Sequence, residues 1–138
     1  MKLFRVALAC IAAAAWPAQA QKACSKADAA AAEKAIDRVV SYGQLHKAFK
    51  DFAHCDSGPV EDLYTDAILR LMVEWKNVET VVWDMQKDPE YKAFVHRHLL
   101  SPAAKDDRSS VHSRAKLSCP PLQDAFCGEL VELLKPVQ

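Results

Sequence analysis

The chain has 138 residues, 51% of them hydrophobic and 26% charged, and its 18 basic residues balance 18 acidic ones. That length suits one compact domain with a modest core, since two domains would each be very small. A charge balance so close to neutral argues against nucleic acid or an anionic membrane surface as the main partner.

Lys2 and Arg5 precede an apolar run from Val6 to Trp16 that ends in Pro17-Ala18-Gln19-Ala20, an A-x-A cleavage pattern. Residues 1–20 therefore read as a secretory signal peptide cleaved after Ala20, which implies a periplasmic or secreted protein. The run is too short for a permanent membrane span, and no later segment approaches the necessary length, so no transmembrane segment is expected in the mature chain. A lipoprotein cut at Cys10 would leave almost no apolar stretch before it. Removing 20 of the 138 residues leaves 118, and losing Lys2 and Arg5 brings the mature chain to about −2.

Cys10 departs with the leader, so the mature chain keeps an even four cysteines at Cys24, Cys55, Cys119 and Cys127. An exported chain with four cysteines is expected to form two disulfides. Three connectivities are possible. Cys24 with Cys55 and Cys119 with Cys127 is the preferred one, because each pair brackets a local unit that closes without threading. A metal site would want C-x-x-C pairs or a cysteine near histidine ligands, and covalent haem would want C-x-x-C-H; neither pattern occurs, and no cofactor is expected.

In the mature chain, Ser25 to Asp28 open an alanine-rich helix with Ala32, Ile36, Val39 and Val40 on one side and Gly43 as its C-terminal stop. Gln44 to His54 repeat Leu45, Ala48, Phe49 and Phe52 at helical spacing, making a hairpin about Gly43 with Cys24 and Cys55 at its free ends. Its arms are unequal, so the bond needs a late start to the first helix or extended chain after the second. Asp56-Ser57-Gly58-Pro59 separates this hairpin from the strongest helical signal. From Val60 to Trp75, apolar residues fall at 3-4 spacing opposite Asp62, Asp66, Arg70 and Glu74, with Pro59 near the first turn. After Asn77, Val78, Val81, Val82 and Met85 continue an apolar stripe with shifted phase, Trp83 lying off it. One bent helix and two helices meeting near Asn77 both fit.

Asp88-Pro89 restarts the chain as cap and first helical residue of a helix carrying Tyr91, Phe94, Val95, His98 and Leu99, and Ser101-Pro102 ends it. Lys105 to Lys116 is mostly polar, anchored by Val111, Ala115 and Leu117, and reads as an exposed helix or a mobile connection. Beyond Cys119-Pro120-Pro121, Leu122, Ala125, Phe126, Leu130, Leu133 and Leu134 define a last amphipathic helix. Every apolar stripe follows the helical period and none alternates, so the expected fold is all-α: a compact bundle of five to seven short helices stapled by two disulfides over residues 21–138.

Little here points to catalysis. His96 and His98 are two apart on a helix, about 200° around its axis, and cannot share an ion. His98 shares the face of Tyr91, Phe94 and Val95, which suits a core-edge histidine bonded to a neighbour. A small envelope hydrolase using His98 with an acidic residue is the alternative; a stress-chaperone role finds no positive support in the near-neutral balance and two disulfides. His54-Cys55-Asp56 resembles the His-Asp pair of small secreted phospholipases A2. It departs from that family, since a cysteine separates the pair, Gly58-Pro59 ends the helix, and the calcium-loop glycines are missing. The carboxylates Asp56, Glu61, Asp62 and Asp66 cluster in sequence, but the helix dipole accounts for Glu61 and Asp62, and Arg70 for Asp66.

A short exported helical bundle with paired cysteines and no catalytic motif suits binding. In signal peptide, size, helix content and cysteines it resembles the small periplasmic immunity and inhibitor proteins of Gram-negative bacteria, including helical immunity partners of type VI secretion amidases. The resemblance implies a protein partner, a toxin or an envelope enzyme, and no enzymatic activity. The expected interface is an acidic ridge of Asp62 and Asp66 with the loop Asp56, Ser57 and Gly58, which would steer a basic partner.

Overall fold

The computed structural model describes residues 22–136, so the signal peptide and Cys10 readings lie outside the described residues. Seven α-helices and two single 3-10 turns make up the regular structure of the described residues: α1 (Lys26–Ile36), α2 (Tyr42–Phe52), α3 (Pro59–Glu74), α4 (Val78–Lys87), α5 (Pro89–Leu99), α6 (Arg108–Leu117) and α7 (Asp124–Leu133). Cys24 bonds Cys55 and Cys119 bonds Cys127. The all-α bundle and the preferred connectivity are therefore what the chain adopts. No helix among the described residues is long and apolar enough to cross a membrane.

The first hairpin differs from the expected one. α1 stops at Ile36, not at Gly43, because Ser41 begins a new helix and its hydroxyl accepts the amide N–H of Gln44 at 3.3 Å. Gly43 then lies within the first turn of α2. The intervening chain packs Val39 at 1% exposure and leaves Val40 at 75%. Both arms are 11 residues long, and a 3-10 turn over Ala53–Cys55 carries Cys55 back to Cys24. The mismatch of arm lengths thus disappears.

α3 is the axis of the bundle. It packs against α1, α5, α6 and the 3-10 turn at Pro102–Ala104, so Thr65 and Leu69, both off the predicted stripe, are buried along with it. Its polar residues Asp62, Asp66, Arg70 and Glu74 face water as expected. Gly58, with φ +57°, precedes Pro59 in the left-handed region where a side chain is strained. The Asn77 question resolves into two helices. Trp75 adopts the left-handed conformation (φ 61°) as the cap of α3, and Asn77 (φ 52°) precedes α4. Trp75 belongs to this corner rather than to the helix; its indole N–H donates to the Ser118 carbonyl at 2.8 Å, and Arg114 donates to the Val73 carbonyl.

Between the helices lies an aromatic cluster in which Phe94 meets Phe49 at 4.8 Å and, edge-on, Tyr64 at 4.9 Å. Such pairs add to plain area burial. The Tyr64 hydroxyl donates to the Ala48 carbonyl at 2.8 Å, which ties α3 to α2. Asp88 caps α5 as expected, accepting the Tyr91 amide at 3.1 Å. The polar segment resolves into α6, which buries Val111 and Ala115 while leaving Leu117 79% exposed. Leu122 is a further correction. It is 94% exposed with φ 66°, outside the α7 helix, because Pro121 and the Gln123 N–H bond to the Pro120 carbonyl form a turn around it.

Candidate functional site

The turn Asp56–Gly58 sits where the end of the first hairpin, the start of α3 and the end of α5 converge. Cys55 is anchored below it through the bond to Cys24. Asp56 turns inward, its side chain 5% exposed, and is met by two neighbours from α5. Nε2 of His98 donates to Asp56 Oδ2 at 3.2 Å, and the Arg97 guanidinium bonds the same oxygen. Burial pushes the Asp56 carboxyl up, but the hydrogen bonds and charges of His98 and Arg97 outweigh that and hold it below its ordinary value. Asp56 therefore belongs to the inside of the turn and is not part of an acidic ridge. No local signal in the sequence could reveal this, because its partners are 41 and 42 positions away.

His98 is 1% exposed and bridges to α3 as well, with Nδ1 2.7 Å from Thr65 Oγ1. A core-edge histidine bonded to its neighbours is what this face of α5 called for. Thr65, His98 and Asp56 together place a hydroxyl, an imidazole and a carboxylate in a row, and the chemistry of such a row is specific. A nucleophilic hydroxyl gives its proton to Nε2 while the carboxylate orients Nδ1–H. Here the ring is turned the other way, with hydroxyl at Nδ1 and carboxylate at Nε2. Moreover, the Thr65 hydroxyl donates to the Glu61 carbonyl at 3.0 Å, and Thr65 is only 3% exposed. The arrangement fastens α3, α5 and the turn together and offers no reacting atom to a ligand.

The remaining predicted residues lie outside this knot. Ser57, Gly58, Asp62 and Asp66 are exposed, so the turn's apex and the polar side of the first half of α3 are open to solvent. Asp62 makes no ion pair among the described residues, while Asp66 is bonded by Arg70 at 2.8 Å, whose other nitrogen donates to the Val39 carbonyl. The acidic character at this surface thus rests on Glu61 and Asp62 more than on Asp66.

Three further histidines also meet carboxylates, which sequence reasoning missed. His46 lies 3.1 Å from Asp88, which Lys50 also reaches at 2.5 Å. The Lys50 ammonium first, then His46 and the Tyr91 amide, hold the Asp88 carboxyl far below its ordinary value against the effect of burial. His54 lies 3.3 Å from Asp28, whose carboxyl Lys22 and then His54 hold down at about 2. His96, half buried, is 3.8 Å from Glu129 and has no hydrogen-bond partner at Nε2. Burial lowers its pKa, Glu129 opposing the shift and Lys92 adding to it. No group of three or more histidine, cysteine or acidic residues suited to a metal ion occurs among the described residues.

No protein-family model, curated protein or solved structure matches the chain. The class is therefore set by the fold itself: an all-α bundle with two disulfides, a format that fits an oxidising compartment outside the cytoplasm.

Proposed function

We propose that this is a binding protein of the cell envelope without catalytic activity, of the immunity or inhibitor kind, which docks onto a toxin or an envelope enzyme. The observation that supports this reading is the exposed Ser57–Gly58 apex. It is clamped by a disulfide on one side and the buried Asp56–His98 bond on the other, directly beside Asp62. A surface ordered in advance loses little entropy on docking, and acidic groups beside it favour a basic partner.

The test is co-purification of the mature chain with the envelope protein encoded beside it, at rising salt. The partner should be retained at low salt and released as salt rises. Asp62→Lys with Asp66→Lys should abolish retention at an unchanged melting temperature. Retention by the double variant, or no partner at any salt, overturns the reading. The alternative, a small hydrolase built on His98, draws on the proximity of Thr65 and Asp56. It predicts that Thr65→Val removes an activity at temperatures where the variant is still fully folded.

A further inference from the structure

A second surface, remote from the Asp56 turn in the sequence, carries a different chemistry. Between the start of α6 and the end of α7 lies a cleft of about 600 Å³, within the roughly 300–1,000 Å³ of small-molecule sites. Its charged lining is all basic, from Lys105, Arg108 and Lys135 with the His112 imidazole beside them, and no acidic residue among the described residues lines it. In a chain of even charge balance, that is a local concentration of one sign. Leu134 and Pro102 supply an apolar wall.

The donors around this cleft are largely uncommitted. Lys105, His112 and the hydroxyls of Ser109 and Ser113 make no side-chain hydrogen bond or ion pair among the described residues. Lys135 is bonded by Glu132. Arg108 is fixed in place because its Nε and Nη2 donate to the carbonyls of Leu99, Leu100 and Ser101 at the end of α5. That leaves its Nη1 without a partner among the described residues. A guanidinium held rigid by three carbonyls, with Nη1 still free to donate, presents a preorganised charged donor to an oxyanion. Asp106 and Asp107 flank it in sequence but do not line the cleft.

We propose that this cleft binds a small amphiphilic anion, with its carboxylate or phosphate against Arg108, Lys105 and the α6 hydroxyls, and its apolar part along Leu134 and Pro102. Both headgroups share the chemistry the lining recognises, and the probes separate them. Dodecanoate, dodecyl phosphate, inorganic phosphate and the uncharged dodecyl maltoside are titrated below their micellar concentrations into the mature, oxidised protein. Amide and imidazole NMR shifts of Ser109, His112 and Ser113 report occupancy. One or both charged amphiphiles should saturate these shifts, dodecyl maltoside should not, and inorganic phosphate should bind at least about tenfold more weakly than dodecyl phosphate for lack of the apolar contact. Lys105→Glu with Lys135→Glu, both on the surface, should weaken binding by about tenfold or more at an unchanged melting temperature. Absence of saturation with both charged amphiphiles, equal binding of the maltoside, or full affinity in the double variant overturns the proposal.

Discussion

Replacing His98 by alanine tests whether the Asp56 knot holds the fold together. The substitution removes a ring 1% exposed that packs 4.5 Å from Phe94 and bonds both Thr65 and Asp56. Losing the ring's packing costs about 2 kcal/mol by comparison with other large-to-small core changes. Losing the Thr65 bond costs about 1 kcal/mol, and leaving Asp56 with Arg97 alone costs a further ~1–2 kcal/mol. Asp56 is poorly placed to absorb that loss, because its Oδ1 is already buried without a partner. The total of about 4–5 kcal/mol corresponds to a fall in melting temperature of roughly 15–20 °C for a domain of this size. Urea unfolding followed by circular dichroism measures it. Asp56→Asn should cost less in the His98→Ala background than in the wild type, by at least about 1.5 kcal/mol, since contacting groups couple. A loss below about 1 kcal/mol, or additivity of the two changes within about 0.5 kcal/mol, would refute the assignment of His98 as a structural tie.

Leu122→Gly should raise the melting temperature, by about 0.5–1 kcal/mol of added stability, because a type II turn wants glycine where Leu122 sits at φ 66°; a lowered melting temperature contradicts the turn assignment. Serine replacement of Cys24 and Cys55, 31 positions apart, should cost about 3.7 kcal/mol, against about 2.5 kcal/mol for the pair 8 positions apart at Cys119 and Cys127; the reverse order in denaturant midpoints contradicts the loop-closure account. Acid should act in two stages in thermal melts from pH 8 to pH 3. His96, whose folded pKa lies below the ordinary 6.5, favours the native state when neutral, so stability slips as pH falls past about 6.5, and His96→Gln should remove that slope. Asp28, Asp56 and Asp88 have folded pKa values below the ordinary 3.8, so their contribution is complete above about pH 4 and disappears only below it.

Much of this architecture is legible in the residues. Apolar spacing locates α3 and α5, Asp88-Pro89 marks a restart, and local bracketing favours, among three possible connectivities, the two bonds that form. Sequence reasoning failed where local preference was outvoted. Gly43 looked like a helix stop, yet Ser41, two residues earlier, offers the stronger local bond by capping α2. Trp75 fitted the stripe of α3, but its indole is recruited by Ser118, 43 positions on. Asp56 looked like a loop acid and is a core acid, since its partners come from a helix three elements later. The signal that could have raised the question was His98 itself: a histidine on an apolar face needs a polar partner, and the acids able to reach it are few.

The turn around Leu122 has one more consequence. The most exposed large hydrophobic side chain of the described residues stands inside a covalent ring closed by Cys119 and Cys127. A protease that cuts beside it opens the backbone but releases no fragment, because sulfur still joins the two ends. Such a nick would leave the molecule at full mass on a non-reducing gel and divide it only after a thiol is added.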